Sequence, residues 1–291
     1  MYLKIDEFNH LDDIPDYYNF QKPYLIRGGC RSMKIFNRED KMQFFLQHLQ
    51  DTKLDTEIYN TMTQMEQSKI VENKQISFSE SFEHNIRNKK PYHFVAEVNL
   101  KEPRYNISSK FLSNFHLDMD NKRDNPHILM FFGNNSRSAT HIHVTDDYVF
   151  NQIYGSKTVY MFDYNDNKFS ANFNPGGVFS DRSNFIEVDL FSIDHSNLKI
   201  YKVEMNEGDS LTIPPWWWHA VKGKDLTLTL TKTYPRSNYW YALTKPYLMI
   251  ILIYQCIMMI IDDILDFVDD LLDFFNSIFK VIQSIVFNRL M

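Results

Sequence analysis

Three histidines and one lysine carry the chemistry this sequence offers. His141 and His143 stand in the run Ser138-Ala139-Thr140-His141-Ile142-His143, and His219 closes the stretch TIPPWWWH. Residues i and i+2 of a β-strand point to the same face, so an extended His-x-His aims two imidazoles at one point. Neutral imidazole is a common ligand for divalent transition metals. His219 follows Trp216, Trp217 and Trp218, three of the four tryptophans in the chain. Alone, His219 reads as a hydrogen-bonded core histidine, and the pair reads as one side of a solvated strand. Taken together, the three form a metal-ligating set beside a rigid apolar wall. Lys157 follows Gly155-Ser156 and heads the apolar run TVYMF. It is either a surface charge or a cation turned into a pocket to anchor a carboxylate.

The elements that must position these residues are short. From about 92 to 235, β-rich runs recur between clusters of Asn, Asp, Gly and Ser: HFVAEV, HILMFFG, TVYMFDY, IYKVEM and LTLTLTKTY. The last, 226–234, alternates apolar residues with threonine, as a half-buried strand does. Gly208-Asp209 forms a turn into a short strand that Pro214-Pro215 ends. Many short strands with few helices predict a β-sandwich, barrel or jelly roll. Ahead of them, residues 1–20 form a polar lead-in, and 23–27 (PYLIR) a strand closed by Gly28-Gly29. Residues 38–50 and 78–88 have helical character, the second with Ser79 as a cap. Residues 163–185 form a long polar loop, and there is no internal repeat.

Composition bounds the classes of function. A chain of 291 residues with 44% hydrophobic and 15% aromatic content buries a large core, as one large domain or one domain with an appendage. A net charge of −6 without a long basic run does not favour nonspecific binding to a phosphate backbone. Two cysteines, Cys30 and Cys256, support neither a disulfide framework nor a thiolate zinc site and suit a reducing compartment. The acidic N-terminus is not a secretory signal, so a cytoplasmic location is expected. Residues 247–261 are apolar apart from Gln255, and Asp262, Asp263, Asp266, Asp269, Asp270 and Asp273 then mark one face of an amphipathic helix. The apolar run is shorter than the ~20 residues of a membrane span. Residues 247–287 are expected to pack or to form a homodimer, with membrane attachment through 247–265 as the alternative.

The order His-x-His, then Gly155-x-Lys157 with an aromatic strand, then Gly208-Asp209-x-x-x-Ile213-Pro214-x-x-Trp217-Trp218-His219, resembles the JmjC-type cupins. These are Fe(II)- and 2-oxoglutarate-dependent hydroxylases of the factor-inhibiting-HIF class. Lys22-Pro23-Tyr24-Leu25-Ile26-Arg27-Gly28 resembles the entry strand of that family. Phe131-Phe132-Gly133 resembles the aromatic segment before its first metal strand. The resemblance covers about residues 20–240. It implies a mainly β fold, a double-stranded β-helix (jelly roll) over 91–240. An N-terminal strand and helices (1–90) would flank it, and C-terminal helices (246–291) would follow. It implies Fe(II) on His141 and His219, with His143 at the position of the remaining ligand, and 2-oxoglutarate on Lys157 with a hydroxyl from Ser138 or Thr140. Tyr92 or Tyr160 would line the same pocket. The implied substrate is a protein side chain, with RNA bases a minority of the family; the acidic charge favours protein, and nothing suggests chromatin.

One residue departs from the family. Its second ligand is an aspartate or glutamate two residues after the first histidine, and here that position is His143. Three outcomes are open: an active three-histidine site; a carboxylate from Asp146 or Asp147; or a cupin that binds metal, ligand or partner without turnover.

Overall fold

Short apolar-polar runs bury their apolar sides only by pairing, and among the described residues twelve strands pair into one sheet. They are β1 (Asp6–Phe8), β2 (Tyr24–Ile26), β3 (Lys53–Tyr59), β4 (Glu72–Ser77), β5 (Tyr92–Asn99), β6 (His127–Asn134), β7 (Thr140–His141), β8 (Asp146–Asp163), β9 (Phe185–Ile186), β10 (Tyr201–Met205), β11 (Ser210–Ile213) and β12 (Trp217–Pro235). Helices α1 (Lys41–Leu49), α2 (Met62–Glu66), α3 (Phe78–Ile86) and α4 (Ser109–Leu112) lie between them in the chain. The computed structural model describes residues 2–14, 22–66, 69–87, 90–116, 126–143, 146–163, 185–186, 189–192 and 199–235. The chain divides into two units, Met1–Gly177 with Asn184–Ser237, and Val178–Ser183 with Asn238–Met291; every described residue belongs to the first. The C-terminal segment 246–291, expected to dimerise or attach to a membrane, lies outside the described residues, as does almost all of the loop 163–185. No helix among the described residues is long and apolar enough to cross a membrane.

The main path through the sheet runs β1-β2-β11-β8-β12-β6-β5-β3-β4, with β10 on β8, and β7 joining β12 to β9. The result is a mainly β architecture with flanking helices, as the spacing of the runs predicts, and it fits the jelly roll that the resemblance implies. The N-terminal lead-in is more than a lead-in, because β1 pairs in parallel with β2, Glu7 opposite Leu25. Two strands dominate. β12 pairs with β8 from Trp217 to Pro235 and with β6 through Leu226–Thr233. Their register shifts between Lys224 and Leu228, where Gly155 of β8 sits at φ +73. A Cβ there would collide with the Leu226 carbonyl oxygen, so glycine is required for both conformation and space. Gly155→Ala is expected to destabilise the fold by about 2 kcal/mol or more, read from urea unfolding. An unchanged midpoint would show that the bulge relaxes freely.

The sheet has two apolar faces. The outer face carries Val95, Val98, Met130, Phe132, Val149, Ile153, Leu228 and Leu230, and packs against α1 and α3 through Phe45, Phe78 and Phe82. The α1 helix starts at Asp40, whose side chain accepts the Gln43 amide at 2.9 Å. The α3 cap is Ser77, which accepts the Glu80 amide, and not the expected Ser79, whose hydroxyl donates to the Gln50 carbonyl. The inner face carries Leu25, Phe150, Val159, Met161, Val203, Met205, Leu211, Ile213 and Trp217. The functional residues stand on this inner face.

Candidate metal centre

β12 supplies His219, which lies opposite Met161 of β8 on one side and His141 of the two-residue strand β7 on the other. That short pairing brings the first histidine of the His-x-His run to the third. Ring centroids are 4.2 Å apart for His141–His219, 4.9 Å for His143–His219 and 5.0 Å for His141–His143. One ligand atom from each lies within 4.8 Å of the others. The expected strand through His143 stops at His141. His143 is held instead by its carbonyl, which accepts the Trp216 amide at 2.9 Å, and by its ring, stacked on Tyr148 at 3.5 Å and 10°.

The three tryptophans divide this work. Trp216 takes φ +71, a left-handed conformation rare for a bulky residue, and its amide fixes His143. The Trp217 carbonyl accepts from His219 Nδ1 at 3.0 Å, and its ring packs in the inner core. Trp218 alternates to the other face and stacks on Phe162. The expected wall beside His219 is therefore one ring, Trp217, helped by Phe150 at 6.0 Å from His219.

The tautomers suit a metal. His141 Nδ1 meets the Ala139 carbonyl at 2.9 Å, as His219 Nδ1 meets that of Trp217. A carbonyl only accepts, so each Nδ1 carries the proton and each Nε2 offers a lone pair. His219 is 0% exposed, and its Nε2 has no hydrogen-bond partner. A buried polar atom without a partner costs free energy, and a bound cation removes that cost. Burial holds His141 below the ordinary imidazole range. It holds His143 and His219 well below, reinforced for His143 by the rings of His219 and His141 and for His219 by that of His141. The neutral, ligating form is thus the resting form. Among the described residues no carboxylate joins the cluster. Of the two alternative donors, neither Asp146 nor Asp147 is in the cluster; Asp147 lies opposite Tyr234 and alternates away from Tyr148, onto the outer face.

Lys157 stands on β8 between Met205 of β10 and Gly223 of β12. Strand alternation puts it on the face of Val159 and Met161, and so of His219. It is 7% exposed and has no ion pair among the described residues, and burial lowers its ammonium from 10.5 to about 7. A Cβ on Gly223 would lie 2.9 Å from Thr227 Oγ1 and 3.2 Å from Ser136 Oγ, so two further hydroxyls line this end. The alternating threonines of 226–234 contain the signal for Thr227; nothing local singles out Ser136.

The other expected residues scatter. Ser138 Oγ accepts the Val221 amide at 3.0 Å and serves the strand edge. Thr140 is buried opposite Ile186 and alternates away from His141. Tyr92 pairs with Tyr59 at the start of β5, and no ring contact joins it to the histidines. Tyr160 alternates away from Val159 and Met161; its hydroxyl lies 3.4 Å from that of Tyr2 and its ring packs on Phe191. Sequence reasoning missed Tyr148, because a ring stack between residues five apart leaves no periodic trace.

The family model of a cupin-like domain matches residues 14–245. No curated protein matches the chain.

Proposed function

The chain belongs to the cupin-like domain family, and from that premise we propose that it is an oxygenase that uses Fe(II) and 2-oxoglutarate to hydroxylate a protein side chain. The observation that carries the reading is the triad itself. Three neutral imidazoles converge within 4.8 Å, and the buried Nε2 of His219 has no other partner. His141, His143 and His219 would hold the metal, with the carbonyls of Ala139 and Trp217 fixing two of the rings. Lys157 would hold the distal carboxylate of 2-oxoglutarate, since a dry, unpaired ammonium on the face of the triad favours an anion. When bound, iron and 2-oxoglutarate supply the oxidation of a C–H bond by dioxygen, with succinate and carbon dioxide as the other products. The chain's own task is to hold the ligands neutral, to anchor the co-substrate, and to exclude water with Trp217, Phe150 and Met161.

His143 favours a second reading, a domain that binds metal and ligand without turnover. A carboxylate offsets one charge of a divalent ion and imidazole offsets none, so the centre differs by one unit from that of the family's usual ligand set. Anaerobic titration of the full chain with Fe(II) and then 2-oxoglutarate tests both. A visible charge-transfer band that requires Lys157, followed by succinate on admitting dioxygen, supports the oxygenase. A band without succinate, with or without candidate peptides, supports binding alone. Metal uptake without a band removes 2-oxoglutarate from the reading.

A further inference from the structure

We infer that the free edge of β4 pairs with the same edge of a second copy of this chain, antiparallel and centred on Asn73. Neither the triad nor Lys157 takes part. Among the described residues β4 ends the sheet, with β3 on one side and no strand on the other. Residues 69–75 are exposed throughout, including the apolar Ile70 at 43% and Val71 at 48%. A bare strand edge is a row of backbone donors and acceptors that a further strand completes.

Charge selects both the partner and the register. Ile76 lies opposite Leu54, whose side chain belongs to the outer core. Alternation along β4 therefore puts Lys74 and Glu72 on that same side. The two pair with each other at 2.7 Å and stay about half exposed, at 54% and 47%. In a two-fold pair centred on Asn73, Glu72 stands opposite the partner's Lys74, and Lys74 opposite the partner's Glu72. The four charges form a square in which every neighbour has the opposite sign. Ile70 then meets the partner's Ile76, and Val71 meets the partner's Gln75. Centring the pair on Glu72 or on Lys74 would set like charges opposite each other. Centring it between residues would set side chains of opposite faces against each other.

Edges guarded against association carry proline or charge that repels a second copy. The run Glu72-Asn73-Lys74-Gln75-Ile76-Ser77 has no proline, and its two charges are of opposite sign at the spacing that a two-fold pair requires. A strand of six residues buries far less than the ~1,600 Å² of a standard interface, so the association is transient and emerges at high protein concentration.

Sedimentation of the full chain at concentrations up to on the order of 1 mM tests this. The wild type is expected to gain mass as concentration rises. Glu72→Lys and Lys74→Glu each place four like charges in the square, and each is expected to weaken that step at least about tenfold. An equimolar mixture of the two variants is expected to restore it, as is the double reversal of Glu72→Lys with Lys74→Glu in one chain. Both positions are exposed, and matching thermal melts show that each variant folds. Asn73 faces its own copy in this register, so Asn73→Cys is expected to form an interchain disulfide in air, beyond any that the wild type forms, and Gln75→Cys is not. A mass that stays constant with concentration overturns the proposal. So does a rise that both single reversals leave unchanged, which would place self-association elsewhere in the chain, residues 246–291 included. An edge reserved for a peptide of another protein would give neither the rescue on mixing nor the Asn73→Cys disulfide. Rescue on mixing with a disulfide at Gln75→Cys in place of Asn73→Cys overturns the register.

Discussion

His219→Ala removes tight divalent-metal binding. The side chain is fully buried, its Nε2 is the one triad nitrogen with a demonstrably unsatisfied lone pair, and its backbone pairs with both β7 and β8. Loss of partners that merely orient a ligand weakens metal affinity by about 10–100-fold, so loss of the ligand itself is expected to exceed about 100-fold. Manganese or zinc titration followed by calorimetry reads this directly. His143→Asp discriminates further. A carboxylate there offsets one positive charge, so His143→Asp is expected to bind metal at least as tightly as the wild type, whereas His143→Ala is expected to lose affinity. Wild-type affinity in His219→Ala would return the three histidines to the role of core residues. The alanine also removes the Nδ1 bond to the Trp217 carbonyl, and a circular-dichroism melt separates that structural effect from the loss of the metal.

These residues were unevenly legible before the fold was known. The alternating Leu-Thr run of 226–234 reads directly as the second half of β12, since period two is a local property of a strand with two unlike faces, whereas the first half, which carries His219, was not read as strand. His-x-His could be read as a convergent pair, although the reason given, one continuous strand, is wrong for His143. Its ring is placed by Tyr148 and by the Trp216 amide, and neither is a neighbour in sequence. The strand β3 was overlooked, although Lys53-Leu54-Asp55-Thr56-Glu57-Ile58-Tyr59 alternates and is buried at Leu54, Thr56 and Ile58. The bulge between Val95 and Val98, where Glu97 takes φ +53, had no local signal at all. Local periodicity thus reveals which faces are buried. The groups that cross from one strand to another depend on register and bulges, which a single sequence does not state.

Lys157→Met is expected to stabilise the ligand-free protein and at the same time to remove binding of 2-oxoglutarate. The buried ammonium titrates at about 7 against an ordinary 10.5. Between those values the unfolded chain holds a proton that the folded chain has released, so stability rises with pH across that window. Below the window both states are charged and the fold carries the full burden of a desolvated cation. At about 1.4 kcal/mol per unit that burden is on the order of 5 kcal/mol, lessened by relaxation and water entry. Methionine has similar length and no charge, and should return about 1–4 kcal/mol at pH 6 and little at pH 11. A residue kept only for packing would show no such pH dependence. The opposite effect on binding follows from the same physics: without the cation, the distal carboxylate of 2-oxoglutarate enters a dry site unpaired. Breaking a buried ion pair from one side costs about 3–5 kcal/mol, or about 100-fold to 4000-fold in affinity. Wild-type protein at pH 8 should also take up a proton on binding 2-oxoglutarate, because the anion draws the neutral amine back to ammonium. Calorimetry in buffers of unequal ionisation enthalpy measures that uptake. Unaltered 2-oxoglutarate affinity in Lys157→Met, with no proton uptake by the wild type, would detach Lys157 from the co-substrate and leave it a buried amine that the fold tolerates.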